Sequence, residues 1–262
     1  MRKLIVGDVH GCIDEFEELL QIMDYKQGRD LLVSLGDLLD RGPEPVACVT
    51  LAMRLGAQLV KGNHEEKALR WLRHEAKTKA DPTYQNPMRT IPEERRAQWR
   101  ALSSEQIAWL DAAPCYLDLG GGWLGVHGGF EPGLPLEKQK ENAVVRVRYV
   151  NEKGKIAGLK DRTLSQPEGS VYWTEQWRGP HHVVYGHAVH SREKPRVDRF
   201  NHADGFPVHC VGLDTGVVFG GHLTGLVLEE GKAPWEMEFF QVKAKDTYYP
   251  FPFIALGVTD DD

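Results

Sequence analysis

Nine residues of this chain fall into five short clusters. Asp8 and His10 lie in GDVHG (7–11). Asp37, Asp40 and Arg41 lie in GDLLDRG (36–42). Asn63 and His64 lie in GNHE (62–65), His127 opens HGG, and His187 follows Gly186. Carboxylate, imidazole and amide donors without a thiolate suit manganese, iron, zinc or similar divalent ions. Two carboxylates and a guanidinium packed into 37–41 are costly to place together unless a cation and an anion join them. Asp37 is therefore expected to hold two metal ions, and Arg41 a phosphate.

These clusters need elements that bring them to one place. Leu31–Leu35 is a short apolar run stopped by Gly36, the pattern of a central parallel strand. Lys3–Val6 and Gln58–Lys61 read the same way. Helices follow each: Ile13–Met23, with Phe16, Leu19, Leu20 and Met23 on one stripe; Pro43 to about Leu55; and one beginning at GNHE. Right-handed β-α-β crossovers put the three polar loops on one edge of one sheet, where ligands of open α/β sheets bind. Pro82, Pro87 and Pro92 interrupt the pattern, and Lys77–Ala113 is expected to form a helical insertion or lid, with a helix near Glu105–Asp111. Further strands are expected at Gly121–Val126, Val144–Val150, Val183–Tyr185 and Val208–Leu213, with a closing antiparallel pair at Thr224–Glu229 and Glu236–Val242. Asp214 in DTG sits at a strand end. Thr259–Asp262 reads as a disordered tail. The fold class is α/β, a two-sheet β-sandwich flanked by helices in a single domain, 1–262. One glycine-bounded cluster is a weak signal; five in order, each on a strand end, outweigh the ordinary reading of a hydrogen-bonded core histidine.

Composition removes other classes. Hydrophobic residues make up 41% and charged residues 27%, an ordinary globular mix. A net charge of -6 argues against sequence-independent binding to long nucleic acid. The basic groups Arg95, Arg96, Arg100 and Arg192 to Arg199 read as solvated faces. Cys12, Cys48, Cys115 and Cys210 form no C-x-x-C pair, which points to a reducing, cytoplasmic setting rather than a zinc knuckle or disulfide framework. No apolar run has the length of a signal peptide core or a membrane span.

In order, GDVHG, GDLLDRG, GNHE, HGG and the late GH resemble the signature of the phosphoprotein phosphatase superfamily of metallophosphoesterases. The segment WTEQWRGPHHVVYGH with LDTGVVFGG is most similar to its bacterial branch. The resemblance implies two divalent ions, manganese first, with iron, zinc, nickel, cobalt and magnesium as alternatives. It implies that Asp8 and His10 bind one ion, Asp37 bridges both, and Asn63, His127 and His187 complete the other. His64 would be the general acid, oriented by Asp40, and Arg41 would clamp phosphoryl oxygens. A second phosphate-binding arginine is usual in the family between HGG and GH; Arg178 and Arg162 are the candidates. Asp40 and Glu65 favour a protein serine/threonine phosphatase-type phosphomonoesterase acting on a phosphorylated protein. The alternative is hydrolysis of a nucleotide phosphoanhydride such as diadenosine tetraphosphate, favoured by VFGG and the Arg192–Arg199 loop. A silent metal-binding scaffold has no use for a His64–Asp40 pair.

Overall fold

Successive strand residues point to opposite faces, so an apolar run without alternation must be covered on both sides. The computed structural model describes residues 1–158, 166–202 and 204–250, which excludes Arg162 and the expected Thr259–Asp262 tail. In chain order its elements are β1 (Arg2–Val6), α1 (Ile13–Ile22), β2 (Leu31–Ser34), α2 (Pro45–Arg54), β3 (Gln58–Leu59), α3 (Asn63–Ala80), α4 (Glu93–Arg100), α5 (Ser104–Asp111), β4 (Tyr116–Gly120) and β5 (Trp123–Val126). Then follow α6 (Glu141–Val144), β6 (Tyr149–Val150), β7 (Val171–Tyr172), β8 (His182–Tyr185), β9 (Arg196–Asn201), β10 (Pro207–Gly212), β11 (Asp214–Thr215), β12 (His222–Glu229) and β13 (Glu238–Lys243).

Eleven of these strands form two mixed sheets flanked by helices, and β6 and β7 pair antiparallel apart from them. One runs β11-β12-β1-β2-β3, with β13 added to β12; the other runs β4-β5-β8-β10-β9. β1, β2 and β3 are parallel, with Leu4 opposite Leu32 and Ser34 opposite Leu59. In the second sheet β5, β8 and β10 are parallel, between antiparallel edges. Alternation assigns each strand to two layers. Ile5, Val33, Val184, Val211 and Leu226 pack between the sheets. Their neighbours Leu4, Leu32 and Val227 face outward into the α1–α2 core, and Val183, Tyr185 and Cys210 into a core with Phe130, Trp173 and Trp177.

The structure corrects one expected strand. Glu141–Val144 is a helical turn, and only Tyr149–Val150 of Val144–Val150 is strand. Val144, Val145 and Val147 are buried in the second-sheet core, so their apolar character reflects packing rather than sheet pairing. The edge strands β4 and β9 lie outside every expected strand; β9 alternates half-buried and exposed residues over RVDRFN, a pattern with little apolar signal. Residues 77–113 are helical in the end of α3, in α4 and in α5. They do not hang free. Gln106 on α5 donates to Thr50 on α2 at 2.9 Å, and the Trp99 ring on α4 packs tilted against Trp71 on α3, 5.6 Å between centroids. Among the described residues no helix is long and apolar enough to cross a membrane.

Candidate metal centre

The loops after β1, β2 and β3 carry Asp8 to Arg41 and Asn63–His64; those after β5 and β8 bring His127 and His187 from the other sheet. All of these are buried except Arg41, which is half-buried. They converge on Asp37. Its Oδ2 stands 3.3 Å from His127 Nε2, 3.6 Å from His10 Nε2 and 3.9 Å from His64 Nε2. Two groups of donor atoms, His10–Asp37–His64 and Asp37–His127–His187, could each surround an ion, and Asp37 belongs to both. Asp8 stands beside them, its two oxygens accepting the His187 backbone N–H at 3.1 and 3.0 Å.

The imidazole tautomers are set from outside the cluster. His10 Nδ1–H donates to Leu39 O at 2.9 Å, and His127 Nδ1–H to Leu35 O at 2.8 Å. His187 Nε2–H donates to Arg146 O at 3.2 Å. Each ring therefore turns its lone-pair nitrogen inward, the arrangement that metal-ligating histidines adopt. There the lone pairs crowd: Asn63 Oδ1 is 2.9 Å from His127 Nε2 and 2.9 Å from His187 Nδ1. Acceptor faces acceptor unless a cation or a proton lies between them. The electrostatics agree. Burial raises the Asp8 carboxyl well above the usual range, with Asp214 adding to it. Burial likewise raises Asp214, to about 6. Burial would lower His127, but Asp37 and then Asp8 push it up to about 9, so the site draws a proton toward its carboxylates. Arg41 Nη1 meets the inward His10 Nε2 at 2.8 Å, and the buried, convergent oxygen and nitrogen donors together fit a pair of divalent cations.

The backbone here is held in sparsely populated conformations. His10, Asp37, Asp40, Arg41 and His187 all have positive φ, between 46° and 69°. Such strain persists only where surrounding contacts over-determine it. Glu65 supplies those contacts for the β2 loop. Its Oε2 accepts from Asp37 N at 2.7 Å and Gly62 N at 3.0 Å; its Oε1 accepts from Leu38 N at 2.9 Å and Leu39 N at 3.2 Å. Gly62 is required by proximity: a Cβ there would lie 2.2 Å from Asp37 Oδ1.

His64 Nδ1 is 2.6 Å from Asp40 Oδ2. Since a carboxylate only accepts, Nδ1 carries the proton and Nε2 faces the Asp37 side. Burial opposes ionisation of Asp40, but the His64 hydrogen bond and the charges of His64 and Arg95 hold it well below the usual carboxylate range. Arg95 and Trp99, both on α4, also donate to Asp40. Arg95 was expected on a solvated face and instead lies against a buried carboxylate. Nothing in the charged run EERRAQWR except its one tryptophan signals this. Of the candidate second arginines, Arg178 is engaged elsewhere: it covers the Phe200 ring on β9 at 4.8 Å and donates to Trp177 O. Among the described residues between His127 and His187, Arg148 reaches the cluster's edge, its Nη2 donating to His187 O at 3.3 Å. It sits two residues from Arg146, which pairs with Glu66 on α3.

Three comparisons bear on this site. Residues 1–224 match the calcineurin-like phosphoesterase family. A bis(5′-nucleosyl)-tetraphosphatase PrpE (asymmetrical) from Bacillus cereus is 30% identical, over 98% of this chain and 100% of the relative. A symmetrical bis(5′-nucleosyl)-tetraphosphatase from Yersinia enterocolitica is 27% identical, over 94% of each. A solved structure described as a candidate diadenosine tetraphosphatase superposes with a TM-score of 0.69 at 29% identity, covering 93% of both chains. With the two-sheet fold and the shared carboxylate, the match makes this chain a metal-dependent phosphatase of the calcineurin-like phosphoesterase family.

Proposed function

We propose that this protein hydrolyses phosphoanhydride bonds of dinucleoside polyphosphates, diadenosine tetraphosphate among them, with two divalent cations, manganese first. The observation that carries the chemistry is the Asp37 carboxylate, common to two donor groups and flanked by the His64–Asp40 pair. The substrate class follows the relatives named as tetraphosphatases, which align with nearly the whole chain. Asp40 and Glu65, which spoke for a phosphoprotein substrate in the sequence, have local duties: one holds His64, the other clamps the β2 loop. Those contacts are all within the protein, so the geometry of Asp40 and Glu65 does not choose between the two substrates. Arg41 lies over the Phe219 ring at 5.3 Å, and Arg192 donates to the Phe219 carbonyl at 3.2 Å, so one residue ties the Arg41 loop to the Arg192–Arg199 loop.

In this reading Asp8, His10, Asp37, Asn63, His127 and His187 hold the ions, and Asp37 serves both. When bound, such ions acidify a water and neutralise charge on the transferred phosphoryl group. Arg41 binds the phosphoryl oxygens through its planar fork. As an imidazolium with its Nδ1–H held by Asp40, His64 delivers the Nε2 proton to the leaving oxygen and is left neutral. The free thiols Cys12, Cys48, Cys115 and Cys210 support a cytoplasmic setting.

Turnover of diadenosine tetraphosphate and of a phosphoserine peptide, each with manganese, tests the assignment. The dinucleotide is expected to have the higher kcat/KM, and chromatography of its products separates ATP plus AMP from two ADP. Preference for the peptide would restore the protein-phosphatase reading.

A further inference from the structure

We infer that α4 supplies two positioning residues, Arg95 and Trp99, which hold Asp40 and, through it, His64 for proton transfer to the leaving group. The inference rests on His64 being the proton donor. Asp40 lies in a loop of positive-φ residues that constrains its backbone but leaves its carboxylate to rotate. Three donors remove that freedom. His64 Nδ1 and Arg95 Nη2 meet Oδ2, and Trp99 Nε1 meets Oδ1 at 2.7 Å. With Oδ1 fixed by the indole, Oδ2 is directed at His64.

The chain of contacts closes on itself. His64 lies in the first turn of α3, and Trp71 lies two turns further along that helix. Trp99 packs on Trp71 and is fully buried, while Arg95 lies over the Trp99 ring at 5.2 Å. The helix that presents the imidazole thus also anchors the element that orients its carboxylate. A buried carboxylate is costly to desolvate, and the three donors on Asp40 offset that cost while fixing its orientation. The segment expected as a lid is, on this reading, a fixed wall of the proton-transfer site.

A positioning role and a merely structural one differ in leaving-group dependence. A proton donor contributes most when the leaving oxygen is poor and little when it is good. Manganese-loaded His64→Asn, Trp99→Phe and Arg95→Gln would be compared on p-nitrophenyl phosphate, a good leaving group, and phenyl phosphate, a poor one. Trp99→Phe keeps the packed ring and removes the N–H; Arg95→Gln alters a side chain at the rim, leaving the core intact if the tryptophan variant fails to fold. His64→Asn is expected to slow the phenyl ester selectively. The two α4 variants should do the same in part, about tenfold beyond their effect on the nitrophenyl ester, with manganese content unchanged and Arg95→Lys restoring part of the loss. Equal slowing of both esters by the α4 variants, while His64→Asn discriminates, would overturn the inference alone. Equal slowing by His64→Asn would overturn the proton-donor reading and the inference with it.

Discussion

Replacing Gly62 by alanine separates crowding from backbone strain at the point where both sheets meet. Gly62 has φ -88° and ψ 167°, extended backbone that alanine adopts freely. The added methyl, however, would stand 2.2 Å from Asp37 Oδ1, 2.4 Å from Glu65 Oε2 and 2.5 Å from Asp37 N, where ordinary contact begins at 3.4 Å. About 1.2 Å must be recovered, by the shared carboxylate, its clamp, or both. A displacement of about 1 Å in a reacting constellation costs on the order of 100-fold in rate. Disturbing the groups that orient metal ligands costs about 10–100-fold in affinity. Overpacking adds about 1–3 kcal/mol of destabilisation. The control is Gly56→Ala. There φ is 70° and nothing lies within 4 Å of the new methyl, so strain acts without collision. It should lose about 1–2 kcal/mol of stability and keep its kcat. Urea unfolding, manganese titration calorimetry and steady-state kinetics on both variants give the comparison. A Gly62→Ala protein with parental kcat and manganese affinity would refute the claim that the Asp37 position governs the centre.

Three further outcomes are expected. Asp37→Asn should lose bound manganese and activity together, and full occupancy by elemental analysis would contradict the shared-carboxylate geometry. Stripping the protein with a chelator should abolish turnover, and returning manganese at 100 times its Kd should raise unfolding stability by about 2.7 kcal/mol per site; a urea midpoint indifferent to manganese would count against a metal centre. Burial, with His209 and His181 nearby, holds His182 down to about 4, and its Nδ1 accepts the His209 backbone N–H at 3.0 Å. Between about 6.5 and 4 the unfolded chain binds the proton and the folded chain does not, so stability falls as pH drops through that window. His182→Gln should flatten this part of the urea stability profile measured on metal-free protein; an unchanged slope would show that His182 is not a source of it.

What the sequence determined by itself was local. An apolar run ended by glycine and a carboxylate or imidazole is written within a few consecutive residues, so β1, β2, β5, β8 and their loops were legible, with the donors each displays. The α1 stripe of Phe16, Leu19 and Leu20 was legible for the same reason. Tertiary structure decided what lies opposite what. Only the stacking of the two sheets carries His127 to 3.3 Å from Asp37, 90 positions away in the chain. Only the packing of Trp99 on Trp71 turns Arg95 from one charge in a polar helix into a partner of Asp40. Nor could residue type separate Arg178, spent on Phe200, from Arg148, placed beside His187. Hydrophobic periodicity records which face of an element is buried; it holds no record of the polar contacts that two distant elements make once both are covered.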